Sequence, residues 1–472
     1  MRWVVIALWL ASSLAFAQES ALHAELRREG ERVSDACGKF SFKAIPMCGY
    51  ALFTDHPFHI AAGSMPPQNG FGLGAAFVWT ENTHNWRMSW NADAVGAFSG
   101  AWRTGVYMQM VHTPHPAKPP IRVVRPTPGQ PPTQPAPPPR FTHPYTVFNL
   151  YAQTISLNTV NYFGLGNSTT LAGASVFGMR ETIVGGNVTK PIFEWPAVRW
   201  LNPSLFGEIN GRFVDLRPDR GQSVPSLETR YTEATAPGLA SQPGFLQLGE
   251  GLRIKPVIGD HFELNYAGKF QQFVAPSNSH YSFLRWTVDL NHTYYLYSYS
   301  QTAPKYPEGL GPDACTTGTD KCPEIPRTRN LNGSIGVRFL LSESPTSGTS
   351  VVPFFFQQTL GGSDINNAMS LGSYQDYRFR APNLLLLQEK FEHSIWGPFG
   401  ATFMADQGRV ALTRGDIGFS HLKHSFAAGL TLRAGAFPMV YLRFAWGGSE
   451  GHHNILNMNT ALLGASPRPL LD

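Results

Sequence analysis

Beyond Phe16 this chain has no apolar run approaching the length of about 20 residues that a membrane-spanning helix needs, so helical spans are excluded from most of its 472 residues. It is also short of charge. Asp, Glu, Lys and Arg make up 15% of the residues, where soluble domains carry about 25%. The formal balance of +5 is slight and its Lys and Arg residues are scattered, which removes the basic patch of a nucleic-acid binder. Cysteine is scarce, with two close pairs, Cys37 with Cys48 and Cys315 with Cys322, neither spaced like a zinc site. Four cysteines allow three connectivities; proximity favours the local one, which fits an oxidising compartment. There is no G-x-S-x-G elbow, P-loop, H-E-x-x-H or complete G-x-G-x-x-G, so no catalytic residue, metal site or cofactor is assigned. His421, His424, His452 and His453 lie close together near strand ends and read as interfacial residues rather than a metal site.

What the chain does have is glycine, proline and aromatics: 46 Gly, 38 Pro and 12% Phe, Trp and Tyr, at a mean hydropathy of −0.17. At the N-terminus Arg2 precedes the apolar run Trp3 to Phe16, and Ala15-Phe16-Ala17 offers a small-x-small cleavage site before Gln18. Residues 1–17 therefore read as a secretory signal peptide. Export, low charge and many aromatics without spanning helices predict an all-β protein, a closed antiparallel transmembrane β-barrel whose apolar residues occupy alternate positions. A large secreted β-protein is the alternative.

Two-residue periodicity supports the barrel. Phe262, Leu264, Tyr266, Gly268 and Phe270 alternate with Glu263, Asn265, Ala267, Lys269 and Gln271. The same rhythm sets Leu205, Gly207, Ile209, Gly211 and Phe213 against Phe206, Glu208, Asn210 and Arg212, and Leu284, Trp286, Val288 and Leu290 against Arg285, Thr287, Asp289 and Asn291. It returns in Ile335 to Leu341 and in Val440 to Trp446. Such segments can cross a bilayer as tilted strands. Alternation by itself does not say whether the apolar face is core or lipid-facing. Tyr294, Tyr295, Tyr297 and Tyr299, and Trp195 with Trp200, suggest interfacial girdles.

From Gly70 to Gly464 the pattern gives fifteen or sixteen strands, the first over Phe71 to Thr80 and the last over Asn454 to Leu463. A barrel with both ends on one side needs an even number. Strand direction assigned from the two ends disagrees by one strand, which places the uncertainty between Tyr145 and Pro256. The expected organisation is a short periplasmic segment over 18–69, a barrel over 70–464 and a C-terminal tail over 465–472. A proline-rich spacer over 113–144 cannot pair as a strand. The segments Arg217 to Pro243 and Ala303 to Arg327 are too long for simple hairpin turns.

Residues 351 to 464 are the most specific stretch. Val351-Val352-Pro353-Phe354-Phe355, Leu360-Gly361-Gly362 and Tyr377-Arg378-Phe379-Arg380-Ala381-Pro382-Asn383-Leu384-Leu385-Leu386 follow one another in that order. They are succeeded by Phe403-Met404-Ala405-Asp406-Gln407-Gly408-Arg409-Val410, by His424-Ser425-Phe426-Ala427-Ala428-Gly429-Leu430, and by Leu442-Arg443-Phe444-Ala445-Trp446 before Glu450-Gly451. Asn69 to Gly74 and Tyr162 to Asn167 add weaker echoes. In order and spacing this resembles the barrel of the outer-membrane assembly-factor superfamily, the BamA/TamA type, also called bacterial surface antigen.

The resemblance implies sixteen strands and a long extracellular loop, here 343–381, that folds back into the lumen and takes Val351 to Phe356 with it. It also implies an R-G-F or R-G-Y motif in that loop, and the matching residues are Leu371-Gly372-Ser373-Tyr374. Gly372 stands where the family has arginine and Ser373 where it has glycine. Asp406 resembles the family's lumenal acid, and with no arginine at 372 the expected partner is Arg378 or Arg380, two apart on an extended segment. The family's periplasmic POTRA domains have no counterpart in the 53 residues from Gln18 to Gly70, too few for even one such domain. Outer-membrane lipids are implied partners, with unfolded polypeptides or separate periplasmic proteins beside them.

Three readings follow: an insertion or translocation barrel whose first and last strands part at a weak seam, with Gly70, Gly72 and Gly74 on one side of it; a passive pore; or a structural surface-antigen barrel.

Overall fold

The computed structural model describes residues 21–38, 48, 52, 57–113, 145–192, 200–218, 223–259, 261–305, 325–396, 398–434, 437–458 and 468–471. Residues 1–17, expected to be a signal peptide, nearly all of the proline-rich segment 113–144, Trp195, Cys315 and Cys322 lie outside the described residues.

A helix α1 (Ala21–Cys37) comes first, ending at a Cys37–Cys48 disulfide with Cα atoms 4.8 Å apart. The strands follow: β1 (Phe58–Ser64), β2 (Phe71–Asn82), β3 (Trp86–Ala97), β4 (Trp102–His112), β5 (Val147–Tyr162), β6 (Ser175–Pro191), β7 (Pro203–Arg217), β8 (Phe245–Ile254) and β9 (Phe262–Val274). Then come β10 (Phe283–Lys305), β11 (Ile325–Glu343), the short β12 (Gln358–Leu360) and β13 (Phe379–Ala381), β14 (Asn383–Trp396), β15 (Phe399–Ala411), β16 (Lys423–Ala434), β17 (Phe437–Gly448) and β18 (Gly451–Met458). All but β12 and β13 form one 16-stranded antiparallel sheet in chain order, and those two pair with each other. The sheet curls until β1 and β18 lie side by side, and among the described residues no hydrogen-bonded ladder joins them.

The outward face settles what alternation left open. Ile209 and Trp286 on the outside are 56% and 53% exposed, whereas Arg212 and Arg285, pointing inward, are 1% and 2% exposed. That is a soluble protein turned inside out: exposed apolar side chains recur on strand after strand, among them Phe71, Val106, Leu150, Leu205, Phe213, Leu430 and Leu442. A continuous apolar belt around a polar-lined lumen is what a bilayer requires of a barrel.

The sixteenth strand is not between Tyr145 and Pro256, where β5 to β8 account for the chain, but upstream of residue 70. β1 pairs with β2 from Phe58↔Phe77 to Ser64↔Phe71, so the barrel begins at 58 rather than 70. His59-Ile60-Ala61-Ala62-Gly63-Ser64 has too few bulky side chains to display an amphipathic rhythm. The seam glycines are corrected with it: Gly72 and Gly74 sit in β2, paired on both sides by β1 and β3, and Gly70 belongs to the β1–β2 turn with φ +79°. The last strand ends its described course at Met458 after a tight turn at Ser449-Glu450.

Glu29 of α1 accepts the Phe58 N–H at 3.1 Å, tying the helix to the start of β1. At the opposite rim Asn69 locks the β1–β2 turn to β5. Its amide oxygen accepts the N–H groups of Asn158 and Thr159 at 2.9 and 3.2 Å, and its nitrogen donates to the Thr159 carbonyl at 2.7 Å. The connections 163–174, 218–244, 275–282 and 344–382 emerge at this rim.

The lumen loop and its seat

The connection between β11 and β14 does not leave the barrel; it turns into the lumen. Its first anchor is aromatic. Phe354, Phe355 and Phe356 form one 3-10 turn, all buried, and their rings pack edge-on against Tyr162, Phe177 and Phe245, with centroids 5.0 to 5.3 Å apart at the closest of these contacts. Phe273 and Phe283, stacked 4.4 Å apart, complete the cluster. Three apolar rings inside a polar-lined tube need neighbours of their own kind, and inward-facing aromatics of β5, β6, β8, β9 and β10 supply them. Two buried arginines hold the turn: Arg285 donates to the Phe356 carbonyl, and Arg212 lies over the Phe356 ring at 5.3 Å.

The second anchor is the segment 361–376. Leu371 is fully buried with φ +48°, a left-handed backbone, and its N–H donates to Asp406 Oδ2 at 2.9 Å. Ser373 N–H donates to Ser425 Oγ at 2.9 Å. Between them Gly372 lies so close to the wall that an added Cβ would stand 3.0 Å from Ile455 Cδ1 and 3.2 Å from Ala445 Cβ. The loop backbone therefore rests directly on β15, β16, β17 and β18. Where the resemblance implies an arginine side chain reaching the wall, this chain brings the main chain itself to Asp406.

The expected pairing of Asp406 with Arg378 or Arg380 is thus corrected. Asp406 Oδ1 accepts from Gln388 Nε2 at 3.1 Å, and the same nitrogen lies 3.0 Å from the Met369 carbonyl. Gln388 Oε1 in turn accepts from Arg338 at 3.3 Å, and Arg338 forms a two-pronged pair with Asp289 at 3.0 Å on both oxygens. A polar relay runs from β10 through β11 and β14 to β15 and ends on the loop.

Arg378 faces the other way. It pairs with Glu450 in the β17–β18 turn, donates to Thr169 Oγ1 and to the Thr169 carbonyl at 2.7 Å each, and is sandwiched between the rings of Phe163 and Phe379. It binds the loop, the 163–174 connection and the last turn together. Arg380 is buried beneath Tyr162 and donates to the Phe354 carbonyl at 2.7 Å. Burial pushes its guanidinium below the ordinary arginine range, to about 10. Burial also raises the Asp376 carboxyl, opposed by the Ser363 N–H that it accepts at 2.9 Å. Gln388 was not singled out from sequence, and Asn69, Ser425 and Glu450 stood there only inside motifs, with no role; each acts through a partner remote in the chain, a relation that alternation does not encode.

Beside this seat is the unladdered edge. A cavity of about 420 Å³ opens between the β1–β2 turn at Ser64 and Met65, the β18 residues Asn454 to Asn457, and the loop at Gly372 and Tyr374. Loop, seam and cavity are contiguous.

The architecture is that of a nearly closed sixteen-stranded transmembrane β-barrel whose lumen is filled by one of its own loops. No family model and no curated protein matches the chain. Among solved structures it is similar to CdiB from Acinetobacter baumannii, at 11% identity and TM-score 0.45, covering 84% of this chain and 59% of that one. CdiB from Escherichia coli compares at 10% identity and TM-score 0.48, covering 86% and 61%. BamA from Haemophilus ducreyi lacking POTRA domains 1–3 compares at 11% and 0.42, covering 86% and 69%. The chain thus spans about three fifths of the two CdiB chains.

Proposed function

We propose that this chain is an outer-membrane barrel of the assembly-factor type that passes or inserts polypeptide segments at the β1–β18 seam, with the lumen loop as its internal gate, and that it is not an enzyme. The observation that carries this reading is the contiguity just described: the loop backbone sits on β15 to β18, and the cavity behind it adjoins the strand pair that, among the described residues, has no ladder. Every other neighbouring pair in the sheet is joined by a hydrogen-bonded ladder, so opening the wall costs fewest backbone hydrogen bonds at this edge. A passive pore fits less well, because Phe354 to Phe356 and Arg285 pack into the lumen as a buried cluster. Lipids of the outer membrane would meet the apolar belt, and unfolded outer-membrane or secreted polypeptides, or a separate periplasmic protein delivering them, would be the partners.

The test is reconstitution into liposomes with a cysteine pair placed across β1 and β18. The reduced protein should speed membrane insertion of an unfolded barrel polypeptide, and oxidation should abolish that gain reversibly. Equal acceleration with the seam locked would sink the lateral route; no acceleration in either state would leave a structural barrel.

A further inference from the structure

Residues 468–471, beyond the last strand, lie in the lumen. Arg468 pairs with Asp93 on the inner face of β3, which also holds Arg103 at 3.4 Å and accepts from the Tyr107 hydroxyl at 3.4 Å. The Arg468 guanidinium lies over the Tyr107 ring at 5.9 Å. Two residues on, the Leu470 carbonyl accepts from Arg212 of β7, a side chain that also lies 3.6 Å from Glu181 and over the Phe356 ring. Leu471 N–H donates to Asn366 Oδ1 of the lumen loop at 2.9 Å, and its side chain is buried in the lumenal hydrophobic cluster.

These four residues are held as a bound peptide is held. Two contacts, Arg212 to a carbonyl and Asn366 from an N–H, grip the main chain and are indifferent to side chain. Two more read chemistry: a buried acid takes a cation, and an apolar pocket takes the residue three positions on. Pro469 lies between them and favours an extended backbone at little entropic cost. Asp93 is almost wholly buried, and of its two arginine contacts the one to Arg468 is the shorter, so the occupant supplies the closer cation.

We propose that the lumen beneath the loop is a binding site for an extended peptide with a basic residue followed by apolar ones, and that residues 468–471 fill it in cis as a built-in competitor. Through Asn366 the occupant touches the same loop that sits on the seam, so occupancy and loop position are linked. Peptide binding does not require the seam to open, and the site stands or falls independently of the function proposed above.

The experiment uses the full chain, native and Arg468→Glu, refolded in detergent, with a fluorescent synthetic peptide of residues 465–472 followed by anisotropy. The native chain should bind poorly because its site is occupied. Arg468→Glu should bind the peptide at least about tenfold more tightly, since losing one partner of a desolvated ion pair costs that much or more. A peptide carrying glutamate in place of its arginine should bind neither chain, and Asp93→Asn placed in the Arg468→Glu chain should remove the preference for the arginine peptide. Should Arg468→Glu misfold, a disulfide formed between Asp93→Cys and Arg468→Cys tests the placement. Equal binding to both chains, or binding insensitive to the peptide's arginine, would overturn the proposal.

Discussion

Gly372 shows how one small residue can replace a large one. An arginine at this position would begin with a Cβ already crowding Ile455 and Ala445, so placing there the residue that the resemblance implies should displace the loop, not strengthen it. Gly372→Arg is expected to cost about 1–3 kcal/mol of loop docking by overpacking, read as faster proteolysis of 361–376 and a larger ion current. Asp406→Asn should weaken the seat too, because an amide nitrogen turned toward Leu371 N–H or Gln388 Nε2 leaves donors facing each other; about 1–3 kcal/mol is expected for a buried group left unsatisfied. Asp376 gives the loop a pH response. Its raised carboxyl favours the docked state when protonated, so its contribution is complete in acid and is lost as pH climbs through the raised value. Current through the native barrel should rise from acid to neutral pH by this route, and Asp376→Asn should flatten the trend. An unchanged slope in that variant would exclude Asp376 as its source.

Among elements, the strands were legible because a barrel writes its wall in a two-residue code, and β7, β9 and β10 display it without interruption. β1 escaped because Ala61, Ala62 and Gly63 carry little of that code, although its pairing with β2 is complete. The loop's entry into the lumen came from resemblance; its contacts with the wall were not legible, since Leu371 and Ser373 bind through main-chain N–H groups that any residue possesses. Arg378 finds its acid 72 residues away, in a turn whose proximity only barrel closure creates. The element itself can be removed. Deleting Leu360 to Ala381 should turn a small flickering conductance into a large steady one in planar bilayers, and a current unchanged by the deletion would mean that this loop does not seal the lumen.

For the molecule as a whole, the inverted distribution of polarity is the decisive feature. Ile209→Lys places a charge at the centre of the outward belt and should cost about 2–4 kcal/mol of membrane stability, seen as a lower unfolding midpoint in lipid vesicles. A lysine at Phe206, which alternation turns toward the lumen and which already has Lys269 over its ring at 5.1 Å, should be tolerated far better. If both substitutions were equally harmless, the belt would not be facing lipid.

The loop's position in the chain has a consequence for timing. Its seat is built from Asp406, Ser425, Ala445 and Ile455, all of which come after the loop in sequence. A partly made barrel can therefore hold this loop only by its Phe354–Phe356 turn, with 361–376 unseated until the final strands arrive, and contacts of such long sequence separation form slowly. Wall completion and sealing are then one event: this protein has no stage at which it is a finished tube waiting for its stopper.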